Sequence, residues 1–254
     1  MSQAVGMYLK SFRLPTMAAM VDEAVRQAEA EDWGYERLLS HLCESEYQDR
    51  QQRRIQRLLK QSQLPDDKTL ENANPKLWSA NVRRLVPTLV EGDFVRRAEN
   101  VLCFGLPGRG KTHVLQAVGR ELVLRHQYSV LFVRAATLIE RLLNAKNELR
   151  LEKELKRLQR FDAMIIDELG YTEHRREEME VFFLLLSARY EQGTVMISSN
   201  LVFDEWDRIF KDPMTGMAAV DRLIHHGIVL AFTNESIRVQ LAKDGEAARR
   251  CGRK

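Results

Sequence analysis

The sequence predicts an α/β fold in which a parallel β-sheet with flanking helices follows a small all-α N-terminal domain. From about residue 100 onward, short apolar runs alternate with longer amphipathic segments, which is typical of a parallel sheet covered by helices. The runs are continuously apolar, as strands buried on both faces require. No such run occurs in the first 65 or so residues.

Helices are predicted for this N-terminal region because its apolar residues recur at helical spacing. Met17, Met20 and Val21 lie three to four residues apart and form one stripe. Pro15 marks a helix start, and residues 62–65 mark a helix end. We expect three or so helices here.

The next stretch, from residue 66 to about Pro87, is polar and rich in turn-forming residues such as Asn72 and Asn74. It is the predicted boundary between two domains. We expect a helical domain at residues 1–68 and an α/β domain at residues 69–254.

The α/β domain is predicted to contain five strands and several helices. The apolar runs that predict strands are residues 101–104, 129–133, 163–166, 194–198 and 228–232. The amphipathic stretches that predict helices are residues 111–126, 137–160 and 176–191.

Composition excludes several classes of protein. The chain has no apolar run of 18 residues, which argues against a membrane span, and no N-terminal pattern of a secretory signal. Its three cysteines are far apart and form no C-x-x-C pair. Isolated cysteines of this kind are typical of a cytoplasmic protein without a structural zinc.

The segment GLPGRGKT, at residues 105–112, matches the phosphate-binding pattern G-x-x-x-x-G-K-[ST] between a predicted strand and a predicted helix. Glycine lets the backbone curl closely around an anion, and the following helix directs its N-terminus at the phosphates. Lys111 supplies positive charge, and Thr112 supplies an oxygen ligand for Mg²⁺. The alternative is a glycine-rich turn with an incidental lysine. The predicted phosphate-binding residues are Gly105, Leu106, Pro107, Gly108, Arg109, Gly110, Lys111, Thr112 and His113.

Two further strand ends carry polar side chains. Asp167 and Glu168 end the strand of AMIIDELG, where ligands bind in parallel sheets. Asp167 is expected to bind the nucleotide's Mg²⁺ together with Thr112, and Glu168 to accept a proton from the attacking water. Asn200 ends TVMISSN and is expected to orient that water. The alternatives are an ordinary acidic turn and a turn asparagine.

Arg222, in AVDRLIHHG, has two interpretations. It is either a solvated surface arginine or an arginine finger that reaches the γ-phosphate bound by a neighbouring subunit. The adjacent His225 and His226 have no carboxylate or thiol cluster beside them in the sequence, which argues against a metal site.

A basic run lies in the N-terminal domain. On a helix its five cations form a stripe along one face, with no acidic residue among them. Such a stripe either binds the phosphates of a nucleic acid without reading its bases or is a solvated outer face. Its members are Arg50, Arg53, Arg54, Arg57 and Lys60.

The order GLPGRGKTH, IIDELGY, ARYE, SSN, FDEW and DRLIHH makes the chain resemble the AAA+ ATPases. More closely, it resembles the IstB-type transposition helper proteins, which are relatives of DnaC-type helicase loaders. The resemblance covers nearly the whole chain, including YLKSFRLPTMAAMVDEA and RQQRRIQRLLKQSQLP near the N-terminus.

The resemblance implies a role for each matching residue. Residues 105–112 would be the Walker A loop, Asp167 and Glu168 the Walker B pair, and Asn200 sensor 1. Arg222 would be an arginine finger acting in trans, so that ATP lies between subunits. Arg238 matches a near-terminal arginine whose role is open. The chain departs from many AAA+ proteins at His226, where they have a second arginine, and no C-terminal helical lid is evident.

The function that the resemblance implies is a Mg²⁺-dependent ATPase that forms a homo-oligomer on double-stranded DNA. It would bend the DNA and recruit and activate a transposase, and the basic stripe would be the DNA contact. The alternatives are a helicase loader of the DnaC type, an ATP-gated clamp with little turnover, and a small-molecule P-loop kinase. A GTPase is disfavoured because no N-K-x-D motif is present.

Overall fold

The computed structural model describes residues 3–170, 175–201, 205–206, 218, 221–225, 227–233 and 236. The chain divides into two compact units, Met1–Arg57 and Leu58–Lys254. This division concerns packing, and the functional boundary predicted after residue 68 stays a prediction.

The N-terminal unit is helical, as predicted. Helix α1 spans Gln3–Ser11, α2 spans Pro15–Ala30, and α3 spans Tyr35–Ser62 and continues into the second unit. Helix α2 therefore begins at the predicted proline, and α3 ends where the sequence predicts an end. Met17, Val21 and Ala24 of α2 pack against Leu42 of α3 and form the core of the unit.

Helix α2 is capped from another helix. Its N-cap residue, Leu14, has no side-chain acceptor. Glu46 of α3 accepts hydrogen bonds from the backbone N–H groups of Thr16 at 2.8 Å and Met17 at 3.1 Å instead. Glu46 is only 4% exposed. Burial alone would raise the pKa of Glu46, but hydrogen bonds from Met17, Arg50 and Thr16 hold it below its usual value.

The second unit is built around a five-stranded parallel sheet with the order β2-β3-β4-β1-β5. All five predicted strands are present, with ends shifted by at most a few residues. The strands are β1 (Asn100–Phe104), β2 (Val130–Arg134), β3 (Ala163–Leu169), β4 (Thr194–Ser199) and β5 (Gly227–Ala231).

The helices of this unit cover both faces of the sheet. Alternate residues of the strands face opposite clusters, so Leu102 packs with α7 and α9, whereas Val101 packs with α4 and α6. The helices are α4 (Ala80–Val90), α5 (Asp93–Arg96), α6 (Lys111–His126), α7 (Ala135–Asn147), α8 (Leu151–Leu158) and α9 (Arg176–Arg189). A short 3₁₀-helix spans Pro75–Leu77. Within the described residues, no helix combines the length and the apolar character needed to cross a membrane.

Two sequence-based expectations about these helices are wrong. The single helix predicted at 137–160 is two helices, because Leu149 adopts a left-handed φ of 56° between α7 and α8. The predicted turn-rich stretch contains α4, although Pro87 lies inside that helix. The buried stripe formed by Val82, Val86 and Leu89 stabilises α4 despite the proline.

Candidate nucleotide-binding site

The glycine-rich loop joins β1 to α6 at the carboxyl edge of the sheet. Gly105 has a φ of 149°, and Gly110, the N-cap of α6, has a φ of 94°. A Cβ atom at Gly105 would lie 2.5 Å from the backbone oxygen of Phe232, so a larger residue does not fit. The loop therefore turns sharply and brings the N-terminus of α6 to the end of the sheet.

Lys111, the first residue of α6, lies inside this loop. Its ammonium group donates hydrogen bonds to the backbone oxygens of Leu106, at 3.1 Å, and Gly105. The residue is 7% exposed, and burial lowers the pKa of Lys111. The loop thus holds a positive charge. A bound anion can replace the two backbone oxygens as the hydrogen-bond partner of the Lys111 ammonium group.

Thr112 and Asp167 meet at the ends of α6 and β3. The Thr112 hydroxyl donates to Oδ1 of Asp167 at 2.8 Å. The hydroxyl of Ser198, on β4, donates to the same oxygen. No role for Ser198 was predicted from the sequence, although two serines precede Asn200 at the end of β4.

These residues line one cleft of about 740 Å³. Glu168 and Asn200 lie on the same cleft wall as Asp167, so the predicted Walker residues are brought together. Arg134, at the end of β2, also lines it and was missed. Only its position at a strand end could have indicated it from the sequence.

A second wall of the cleft comes from the segment that sequence analysis treated as a linker. His113 lies beside it, with Nε2 2.9 Å from the backbone oxygen of Thr69. Trp78 and Leu77 give this wall an apolar part, next to polar side chains. The lining residues from this segment are Lys68, Asn72, Ala73, Asn74, Leu77 and Trp78, and Gln63 and Pro65 line the cleft just before it.

Two buried polar atoms at the cleft have no hydrogen-bond partner among the described residues. They are Oε1 of Gln116 and Oδ1 of Asn200. Buried polar atoms in proteins are nearly always hydrogen-bonded, so unpaired ones at a cleft indicate room for a polar ligand. Together with the hard oxygens of Thr112 and Asp167, they fit a nucleotide with its Mg²⁺.

Arg222 is not among the residues that line this cleft, and it lies in a helical turn at residues 221–224. Its guanidinium donates to the hydroxyl of Ser187 and lies over the ring of Phe183, 4.7 Å from the ring centre. Both partners belong to α9. His226 and Arg238, which sequence analysis also singled out, lie outside the described residues.

The five basic residues predicted to contact DNA lie on α3, and all are exposed. Two of them pair with acidic residues one turn earlier in the helix. Arg50 contacts Glu46 at 3.0 Å, and Arg53 contacts Asp49. These acids precede the basic run, so its own residues, 50–60, do not indicate the two ion pairs.

The remaining three basic residues are Arg54, Arg57 and Lys60. None forms an ion pair with a residue in the described part of the chain. Arg54 and Arg57 belong to the N-terminal unit, whereas Lys60 belongs to the second.

A known family matches most of this chain. The sequence model of the IstB-like ATP binding proteins aligns with residues 7–245. This chain belongs to the IstB-like ATP binding protein family. It is 39% identical over 254 residues to an insertion-sequence ATP-binding protein of Sinorhizobium fredii, which covers 98% of the chain and 83% of the relative. The ATP-binding protein of insertion sequence IS21 from Pseudomonas aeruginosa is 36% identical over 232 residues, covering 91% and 87%.

The fold of this IstB-like protein is found in solved structures. The crystal structure of the DnaC helicase loader superposes with a TM-score of 0.54 at 21% identity, covering 66% of this chain and 98% of that chain. At this identity the likeness concerns the fold alone. It confirms the predicted fold, a parallel sheet with flanking helices.

Proposed function

We propose that this protein is a Mg²⁺-dependent AAA+ ATPase that assembles on double-stranded DNA and recruits and activates a transposase. The observation that carries the proposal is the contact between Thr112 and Asp167 beside the curled loop that holds Lys111. It brings together the glycine-rich loop, a buried cation and two oxygens of the kind that Mg²⁺ prefers, at one edge of the sheet.

The loop and α6 would bind the triphosphate. Backbone N–H groups of residues 108–112 and the N-terminus of α6 favour an anion there. Lys111 would exchange its hydrogen bonds with Gly105 and Leu106 for phosphate oxygens. Thr112 and Asp167 would hold Mg²⁺, which when bound neutralises charge on the phosphates.

Hydrolysis requires a base and an oriented water. Glu168 lies on the cleft beside Asp167, and its carboxylate would accept the proton of the attacking water. The side-chain amide of Asn200 would orient that water, since one of its polar atoms has no partner among the described residues. Arg222 would act on the nucleotide of a neighbouring subunit, which is consistent with its distance from its own cleft.

The DNA partner is proposed from the charge of α3, and the transposase partner is proposed from the relatives of this chain. Arg54 and Arg57 present cations that no described carboxylate neutralises, and these favour a polyanion read without base specificity. The relatives named above are proteins of insertion sequences, which supports a transposase as the protein partner. A helicase loader would instead prefer single-stranded DNA and bind a replicative helicase.

The test compares Lys111→Ala and Glu168→Gln with the wild-type protein, with Lys153→Ala, an exposed substitution on α8, as the control. Lys111→Ala is expected to abolish ATP binding and ATP-dependent assembly on duplex DNA. Glu168→Gln should bind ATP and assemble but lose about 10²- to 10⁴-fold in turnover, the usual contribution of a general base.

Binding of a fluorescent ATP analogue measures nucleotide affinity, phosphate release measures turnover, and light scattering measures assembly on DNA. ATP-dependent assembly that survives in Lys111→Ala would exclude the loop as the nucleotide site. A wild-type protein that assembles with ATP but releases no phosphate would be the ATP-gated clamp instead.

A further inference from the structure

The end of β3 is irregular at the point where it carries the acidic pair. Ile166 pairs with Ile197 of β4, but the next pair is Leu169 with Ser199. Asp167 and Glu168 therefore lie opposite Ser198 alone, which is the arrangement of a β-bulge. Successive side chains of a regular strand point to opposite faces, whereas here both carboxylates line the same cleft.

The bulge places Glu168 in a disfavoured backbone conformation. Its φ is 63°, a left-handed value in which the Cβ of an L-residue comes close to the following carbonyl oxygen. A residue other than glycine keeps such a conformation only when its surroundings hold it there. The groups that hold Glu168 are therefore part of the site.

The side chain of Ser198 contacts both bulged residues. Its hydroxyl oxygen accepts the backbone N–H of Glu168 at 2.9 Å, and its proton is donated to Oδ1 of Asp167. Ser198 is 1% exposed, so water does not compete for these bonds. The neighbouring Ser199 donates to the backbone oxygen of Leu169 at 2.8 Å and fixes the far side of the bulge.

The hydrogen bond from Ser198 to Asp167 also determines which carboxylate oxygen of Asp167 is left for a cation. Ser198 and Thr112 both donate to Oδ1, and Oδ2 accepts no bond from the described residues. Because Oδ1 is occupied twice, Oδ2 is the oxygen left for a cation in the cleft. One buried hydroxyl thus sets both the backbone of Glu168 and the orientation of the Asp167 carboxylate.

We propose that Ser198 is a positioning residue for ATP hydrolysis, and that its hydroxyl stabilises the bulge that presents Asp167 and Glu168 to the nucleotide. The catalytic part of this inference rests on the proposed function. The structural part is that the Ser198 hydroxyl protects the backbone amide of Glu168 from hydrogen exchange, and this part does not depend on the proposed function.

The test is Ser198→Ala, compared with Ser198→Thr, which restores the hydroxyl. In Ser198→Ala the Glu168 amide, followed by NMR, is expected to exchange its hydrogen faster. Turnover should fall about 10- to 100-fold, the usual effect of removing a group that orients a ligand of the metal. Affinity for an ATP analogue in the absence of Mg²⁺ should stay at the wild-type value, because Lys111 and the loop are unchanged. Ser198→Thr should recover both exchange protection and turnover.

Thr194→Val is the matched control on the same strand. Thr194 is fully buried, and its hydroxyl has no hydrogen-bond partner among the described residues. Loss of this hydroxyl should therefore change neither the exchange rate of the Glu168 amide nor the turnover. Should Ser198→Ala fail to fold, Ser198→Cys removes the strong donor while keeping a side chain of similar size, and the same effects are expected.

The proposal requires both effects together. Wild-type turnover in Ser198→Ala, or slower turnover with an unchanged Glu168 amide, would overturn it. If the wild-type protein shows no hydrolysis, the proposed function fails, while amide exchange still decides whether Ser198 holds the bulge.

Discussion

Arg189 is a charged side chain inside the second unit. It is 2% exposed, and its guanidinium donates to the backbone oxygens of Leu158, Phe161 and Thr194, each at 3.0 Å. Burial lowers the pKa of Arg189 to about 10, so the group stays charged at neutral pH. It thus ties α9 to the chain entering β3 and to the start of β4. Gly193 leaves room for it, because a Cβ there would lie 2.6 Å from Nη2.

Arg189→Ala should therefore destabilise the protein by about 3 kcal/mol or more, because several backbone oxygens lose a charged donor. Denaturant unfolding followed by circular dichroism measures the loss. Arg176→Ala, an exposed substitution at the start of the same helix, is the control and should stay within about 0.5 kcal/mol of wild type. Equal stability of the two variants would contradict this role of Arg189.

Helix α2 depends on a carboxylate from α3 for its N-terminus. The pKa of Glu46 is lower in the folded state than its ordinary value of 4.5. The resulting stabilisation is fully present above that ordinary value and is lost as the pH falls through the folded pKa. Acid should therefore weaken the N-terminal unit through this contact.

Glu46→Gln keeps the shape of the side chain but removes its charge. We expect it to lower the free energy of unfolding at neutral pH by about 1 to 2 kcal/mol, as loss of a helix cap does. The difference in free energy of unfolding between this variant and the wild type should become smaller as the pH falls below about 4. Unfolding of the full chain at several pH values tests this, with Glu29→Gln on the exposed face of α2 as control. A difference independent of pH would contradict the charge-based cap.

The basic stripe of α3 allows a matched comparison. Arg53 and Arg54 are neighbours and both exposed, but only Arg53 contacts a carboxylate, that of Asp49. Arg54→Gln is expected to reduce the slope of log affinity for duplex DNA against log salt by about 0.9, the value for one phosphate contact. Arg53→Gln should reduce it less, since this cation is already partly neutralised. Equal slopes in both variants and the wild type would locate the DNA contact elsewhere.

The assembled protein is where Arg222 is proposed to act. Within one subunit it contacts Ser187 and Phe183 of α9 rather than the nucleotide cleft. A residue so placed contributes to hydrolysis only if a neighbouring subunit brings its nucleotide to it. Activity should then depend on contacts between subunits.

Arg222→Ala and Glu168→Gln should each be inactive alone, because one lacks the finger and the other the base. Mixed together, they are expected to recover part of the phosphate release, since Arg222 of the Glu168→Gln subunit faces an intact Glu168. The activity of the mixture, measured against each variant alone at equal total concentration, checks this. No recovery would mean that Arg222 acts within its own subunit or not at all.

The strands and the sharply turning loop at residues 105–112 could be predicted from the sequence. Continuous apolar runs identify strands buried on both faces, and the spacing from Gly105 to Thr112 is set by local backbone geometry. Asp167 could be predicted because strand ends of a parallel sheet meet at one edge. These features depend on neighbours in the chain, so the order of residues was enough.

Other features depend on contacts between distant parts of the chain, and only the folded structure decided them. The cap from Glu46 to α2 and the bond from Ser198 to Glu168 are of this kind. The same holds for residues 66–78, which were predicted to be a linker but which contribute side chains to the cleft. The composition of a segment indicates whether it is exposed to solvent. Whether the segment lines a site depends on the distant residues that pack against it.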